Sequence, residues 1–184
     1  MNVVRCREQI AYDGSQLRSH WAYERFGVQG DVVVQFAGPA DVTTDALVDL
    51  VDRRQQEIIR AAQMLHFIAE HFDQDLHRAV LRQYLLCAVA AGVLGELARE
   101  PILRRGDDLF ARERKLSVSI ATVSPVSSLI HLGINLDPAG APVPAIGLAE
   151  LGLDPLQVGD LVTERYADEV RQVTAACSKV RWVP

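Results

Sequence analysis

The stretch from Gly106 to Asn135, GDDLFARERKLSVSIATVSPVSSLIHLGIN, places the tightest limit on how this chain can fold. On either side of Ser124-Pro125-Val126-Ser127, apolar residues alternate with small or polar ones, the pattern of a β-hairpin. Straight alternation turns Leu116, Val118 and Ile120 one way, together with Ile130, Leu132, Ile134 and Leu136 of the return strand. Lys115, Ser117, Ser119 and Ala121 then face the other way, beside His131, Gly133 and Asn135. Such a hairpin packs its apolar face on helices and leaves the polar face open.

The open row is made of small groups around one long cation. A lysine ammonium is a compact point charge that suits a carboxylate, a phosphate or a developing oxyanion. His131 and Asn135 can add hydrogen bonds that orient a ligand. The alternative is a lysine that snorkels off a strand end beside a histidine satisfied within the fold.

The rest of the chain supplies one core helix and the other strands. Asp13-Gly14 reads as a turn, with Ser15 capping a helix over about Gln16–Phe26. Asp31–Phe36 reads as a strand stopped by Gly38-Pro39, and Met64–Phe72 as another. Asp73 is expected to cap a long helix running to about Arg99, apolar on most sides, with Gly92 and Gly95 permitting close approach to a sheet. Asp154-Pro155 starts a last helix with a stripe through Tyr166, Val170 and Val173. The Asp41–Ala62 segment suits either a helix or a mobile loop. Hairpin-linked strands among helices predict an α+β class: one domain over 1–184, with a central, mainly antiparallel sheet packed by helices.

Charge and cysteine pattern exclude several functions. A net charge of −5 with no basic block argues against a general grip on nucleic-acid phosphates. Cys6, Cys87 and Cys177 are far apart and form neither a zinc motif nor a disulfide framework, which predicts a reducing, cytoplasmic setting. The uncharged apolar run Tyr84–Leu94 is far short of the roughly 20 residues of a membrane span, so no membrane partner is expected. His66, Glu70 and His71 lack metalloprotease spacing, and no metal ligands are assigned. In a strand, His66 and Glu70 share a face, so either can line the open side. Arg18 and His20, in YDGSQLRSHW, could hold an anion near a helix start.

Several of these tracts look familiar. Asp107-Asp108-Leu109, Arg114-Lys115-Leu116-Ser117 and His131-Leu132-Gly133-Ile134-Asn135 resemble motifs of the biotin and lipoyl ligase and octanoyltransferase superfamily. The whole chain is similar to the domain of unknown function family numbered 366, through YDGSQLRSHW, MLHFIAEHFD and RKLSVSIATVSP. That resemblance implies a biotin/lipoyl ligase-like fold, shared with class II aminoacyl-tRNA synthetases. It makes Lys115 the catalytic lysine, touching the carboxylate and α-phosphate of an acyl-adenylate or activating a cysteine. ATP or an acyl-adenylate is the implied cofactor. The stretch matching the Pro-Cys-Gly tract of octanoyltransferases is Pro142-Val143-Pro144-Ala145-Ile146-Gly147, with Ala145 near the cysteine's place, and alanine cannot form a thioester. Ligases also use an arginine-led glycine loop. Here no glycine occurs between Gly38 and Gly92, and Arg53-Arg54 stands roughly where the loop's arginines would.

The resulting expectation is an acyl- or nucleotidyl-transferring enzyme for a small anionic ligand. Lys115 is its catalytic residue, with Arg18, His20, Arg53, Arg54, His66, Ser117, Ser119, His131 and Asn135 as ligand contacts. A non-catalytic binding or regulatory domain, a tRNA-related accessory protein and a homodimer stay open.

Overall fold

A computed structural model describes residues 1–183. In chain order the strands are β1 (Asn2–Gln9), β2 (Val32–Val42), β3 (Ile59–His71), β4 (Leu103–Arg105), β5 (Asp108–Ala111), β6 (Arg114–Lys115), β7 (Ser117–Val123) and β8 (Ser128–Asp137). The helices are α1 (Trp21–Phe26), α2 (Leu50–Arg54), α3 (Leu76–Ala98) and α4 (Pro155–Ser178). The central sheet runs β1-β2-β3-β8-β7, antiparallel except for the β1–β2 pair, and β4-β5-β6 form a small second sheet. The architecture is the expected α+β one.

Helices α3 and α4 cover one face of the sheet. Leu65, Phe67, Ile130, Leu132 and Ile134 are buried there against Leu86, Val93, Val162 and Tyr166. By length and composition α3 could cross a bilayer. In this fold its Ala79, Leu86, Ala90, Val93 and Leu94 lie in the core instead. Its N-cap is Asp75, whose carboxylate accepts from Arg78 N–H at 2.9 Å. The expected cap, Asp73, is drawn away into an ion pair with Arg82 at 2.7 Å. Asp154 caps α4 as expected, with Pro155 in its first turn. Gly92 does not press on the sheet, since a Cβ there would meet nothing within 4 Å.

The opposite face is not open. Tyr12, Leu17 and Trp21 lie on it, with Leu47 of the following segment, over Val34, Phe36 and Ile68. The helix in this region is only Trp21–Phe26, because residues before it cross the sheet as turns rather than coil. Gly38 permits that crossing. A Cβ on it would lie 2.0 Å from the Ile10 carbonyl oxygen, so only glycine lets the chain leaving β1 pass so close. Strand β2 therefore does not stop at Gly38-Pro39. It shifts register between Gly38 and Ala40 and continues to Val42, where Tyr12 pairs with Ala40.

The hairpin forms, with Ser124 N–H donating to Ser127 O at 2.7 Å. Its two polar rows, however, lie on opposite faces. Ser117, Ser119 and Ala121 pair with Ile134, Leu132 and Ile130 on the helix side, whereas Val118 and Ile120 pair with Gly133 and His131. The cause is the four-residue turn, which pairs Val123 with Ser128 and so sets odd-numbered residues of β7 opposite even-numbered residues of β8. The strand also breaks at Leu116, between β6 and β7. Leu116 is itself buried in the helix-side core, so alternation cannot be counted through it.

Candidate functional site

Between the sheet and the segments that cross it lies a cavity of about 270 Å³. Met64, Val118, Ile120, His131 and Asn135 give its floor, while Tyr12, Leu17 and Leu47 close it from the other side. The Ala141–Ala145 segment forms one end, held beside the break in the hairpin. There Lys115 N–H donates to Pro144 O at 3.0 Å, and Ile146 N–H donates to Lys115 O at 3.0 Å. Asn135 closes the junction: its Nδ2 donates to Lys115 O (3.3 Å) and to Ile146 O (3.2 Å). Lys115 and Ala145 thus sit side by side at the cavity.

Lys115 Nζ is paired with Asp108 Oδ2 at 2.8 Å. Burial raises the Asp108 carboxyl above the ordinary carboxylate range, although Lys115 pulls the other way. Asp49, Asp52, Glu57 and Asp107 also line the cavity. Burial, with Asp49 and Glu57 nearby, raises the Asp52 carboxyl as well. Arg60, on the same wall, turns to Asp41 at 2.9 Å. An entering anion must therefore take Lys115 from Asp108, in surroundings otherwise rich in carboxylates.

A buried imidazole pair occupies the middle of the sheet. His66 Nδ1 and His131 Nε2 are 3.1 Å apart, and His66 Nε2 lies 3.2 Å from Gly38 O. Desolvation lowers His66 to about 4. Desolvation, with His66 nearby, also lowers His131 well below the ordinary imidazole value. Both rings are neutral at pH 7. Tyr12 stacks on His131 with ring centroids 3.9 Å apart.

Of the residues expected from sequence, Lys115, Ser117, Ser119, His131 and Asn135 come together around this cavity. The two serine hydroxyls are engaged inward, Ser117 Oγ accepting from Leu109 N–H at 2.9 Å and Ser119 Oγ from Gln83 Nε2 at 2.7 Å. His66 lies beneath the lining, reached through His131. Arg18 is outside it, paired with Glu24. His20 is at the start of α1 with φ +64°, its N–H donating to the buried Glu70 carboxylate at 2.9 Å. Ser127 Oγ donates to the same Glu70 oxygen at 2.7 Å. Arg53 and Arg54 end α2, Arg53 lying 4.0 Å from Asp45. From that segment it is Asp49 and Asp52, three apart, that line the cavity. His71 is on the helix side, 2.9 Å from Tyr166 OH, so it shares no site with His66.

Lining residues not assigned to the site from the sequence include Tyr12, Asp49, Asp52 and Glu57, and Asp107-Asp108 stood out only as part of the ligase-like motif. The i, i+3 spacing of Asp49 and Asp52 was the available signal. Tyr12 had none, because its position depends on the close approach at Gly38.

Comparison with known proteins agrees with this fold. A solved structure described as a protein of unknown function from Pyrococcus horikoshi is 41% identical, with a TM-score of 0.95 over 100% of this chain and 99% of that one. An uncharacterized protein of Methanocaldococcus jannaschii is 37% identical over 180 residues, covering 94% of this chain and 81% of that protein. The biotin protein ligase from Aquifex aeolicus, in complex with biotin and ATP, is similar in fold alone: 18% identity and a TM-score of 0.59 over 93% of this chain and 71% of that one. Residues 1–181 match the family described as Domain of unknown function (DUF366), and the chain belongs to that family.

Proposed function

We propose that this domain binds a small molecule with an apolar body and a carboxylate or phosphate head, and that it serves acyl or nucleotidyl transfer. The observation that carries the reading is Lys115, held by Asn135 and the Pro144–Ile146 backbone at the end of a cavity whose floor includes Met64, Val118 and Ile120. These bonds fix the Lys115 backbone at the cavity, and its ammonium, once drawn from Asp108, stabilises negative charge there. Ala145 beside it supplies no nucleophile, so a transfer through this site proceeds without a thioester at that position.

A second reading is a binding or regulatory domain without chemistry. It is favoured by the carboxylate-rich wall, which does not complement the phosphates of a nucleotide.

Thermal unfolding with ATP, biotin, octanoate, lipoate and a stable acyl-adenylate analogue separates these readings. A ligand at about a hundredfold excess over its dissociation constant stabilises by ~2.7 kcal/mol. That shift should disappear in Lys115→Ala. If no anion shifts the wild type, or if the variant responds identically, the reading is wrong. Pyrophosphate release with the binding acid and ATP then supports transfer; binding without release supports the second reading.

A further inference from the structure

The direction of each hydrogen bond in the imidazole pair follows from the atom at its end. Gly38 O can only accept, so His66 Nε2 carries the proton that lies between them. A neutral His66 then has a bare Nδ1, which can only accept. His131 Nε2, 3.1 Å away, must be the donor, and its own Nδ1 is left bare. That nitrogen has no hydrogen-bond partner among the described residues. The sealed side-chain polar atoms without a partner are Gln35 Oε1 and Glu100 Oε1, so His131 Nδ1 is not sealed and opens on the cavity its ring lines. His131 is otherwise 2% exposed, and Tyr12 covers its face.

We infer that His131 Nδ1 is a fixed hydrogen-bond acceptor that selects ligands bearing an N–H or O–H donor at the end remote from the anionic head. This rests on the proposed reading of Lys115 as the anchor of that head. Asn135 and His131 are four residues apart on the same face of β8, so their backbone positions are separated by roughly 13 Å at the usual strand rise. Met64, Val118 and Ile120 lie among them and offer only apolar contact. The ligand class is therefore an acid whose middle is apolar where it crosses Met64, Val118 and Ile120, with a donor at its far end. A plain alkyl acid would leave Nδ1 unpaired on displacing water from it, which disfavours its binding. His66 acts as a positioning residue, holding the tautomer of His131 through the Gly38 carbonyl.

Two measurements test this. Long-range proton–nitrogen NMR spectra of the free wild type should give both rings as neutral Nε2–H tautomers between ~pH 6 and 8. A protonated His131 Nδ1 overturns the inference whatever binds. Titration with decanoate and ω-hydroxydecanoate should then give about fivefold tighter binding of the hydroxy acid. The preference should vanish in His131→Phe and shrink in His66→Phe, with the decanoate affinity changed less. Equal or weaker binding of the hydroxy acid to the wild type overturns the His131 assignment while leaving the Lys115 reading in place. Failure of both acids to bind overturns the Lys115 reading and this inference with it. If a variant does not fold, the wild-type ratio and the spectra still decide.

Discussion

Lys115 and Asp108 form an ion pair, 2.8 Å between Nζ and Oδ2, at the cavity end where an anion is proposed to bind. Asp108 is thus a resident competitor for the ammonium. Removing its charge in Asp108→Asn should tighten binding of an alkylsulfonate such as octanesulfonate by about fivefold, the scale of a partly exposed pair. Burial raises the Asp108 carboxyl, so lowering the pH through its titration neutralises the competitor while the sulfonate stays ionised. Wild-type affinity should rise as the pH falls, with proton uptake on binding in calorimetry. Asp108→Asn should reduce the uptake, leaving the share taken by Asp52 on the same wall. A flat wild-type profile contradicts this arrangement.

The two neutral imidazoles make stability depend on pH. The unfolded chain protonates His66 and His131 near pH 6.5, whereas the fold holds His66 neutral down to about 4 and His131 below its ordinary value. Between those limits the unfolded state binds more protons, so stability is fully present above ~6.5 and is lost as the pH falls. The slope should reach as much as ~1.4 kcal/mol per pH unit for each ring. Urea denaturation at successive pH values measures it, and His66→Phe should reduce it by about one proton.

Gly38→Ala sets a Cβ 2.0 Å from the Ile10 carbonyl oxygen, a backbone atom that cannot rotate away. We expect a loss of about 2–3 kcal/mol in urea denaturation, the upper part of the overpacking range. Gly92→Ala is the contrast. It adds a methyl facing open space in the middle of α3 and should stabilise by about 0.5–1 kcal/mol.

Asn135→Ala leaves the carbonyls of Lys115 and Ile146 without their side-chain donor. The expected cost is about 1–2 kcal/mol of stability. Because the same bonds hold Lys115 against the Pro144–Ile146 segment, affinity for the anionic ligand should fall together with it. Titration under conditions where the variant is fully folded separates the two effects.

The sequence carried the hairpin, α4 and most of α3, because each has strong periodicity or a cap with local chemistry. It also brought Lys115, His131 and Asn135 forward, and all three line the cavity. It misplaced the serines, because a four-residue turn pairs odd-numbered β7 residues with even-numbered β8 residues, and alternation alone does not say where the turn closes. Ser119 is satisfied by Gln83 of α3, a partner no alternation rule can name. Strand β1 and the long ends of β2 and β3 escaped because their pattern is set by neighbours: Ile10 over Gly38, Tyr12 beside Ala40, and Ile59 against Val42.

The line of hydrogen bonds from Gly38 through His66 to His131 has a consequence for how the chain finds its strand pairing. His66 and His131 are 65 positions apart, and they meet only when β3 and β8 align with His66 opposite Gly133. A slip of one residue would turn one imidazole in among the leucines and isoleucines under α3, with no carbonyl or ring to receive it. Hydrophobic strands such as these can slide along one another at small cost in apolar contact. The imidazole pair marks the one alignment in which the cavity exists, so the group that would read the ligand also rejects the misaligned sheets that could not hold it.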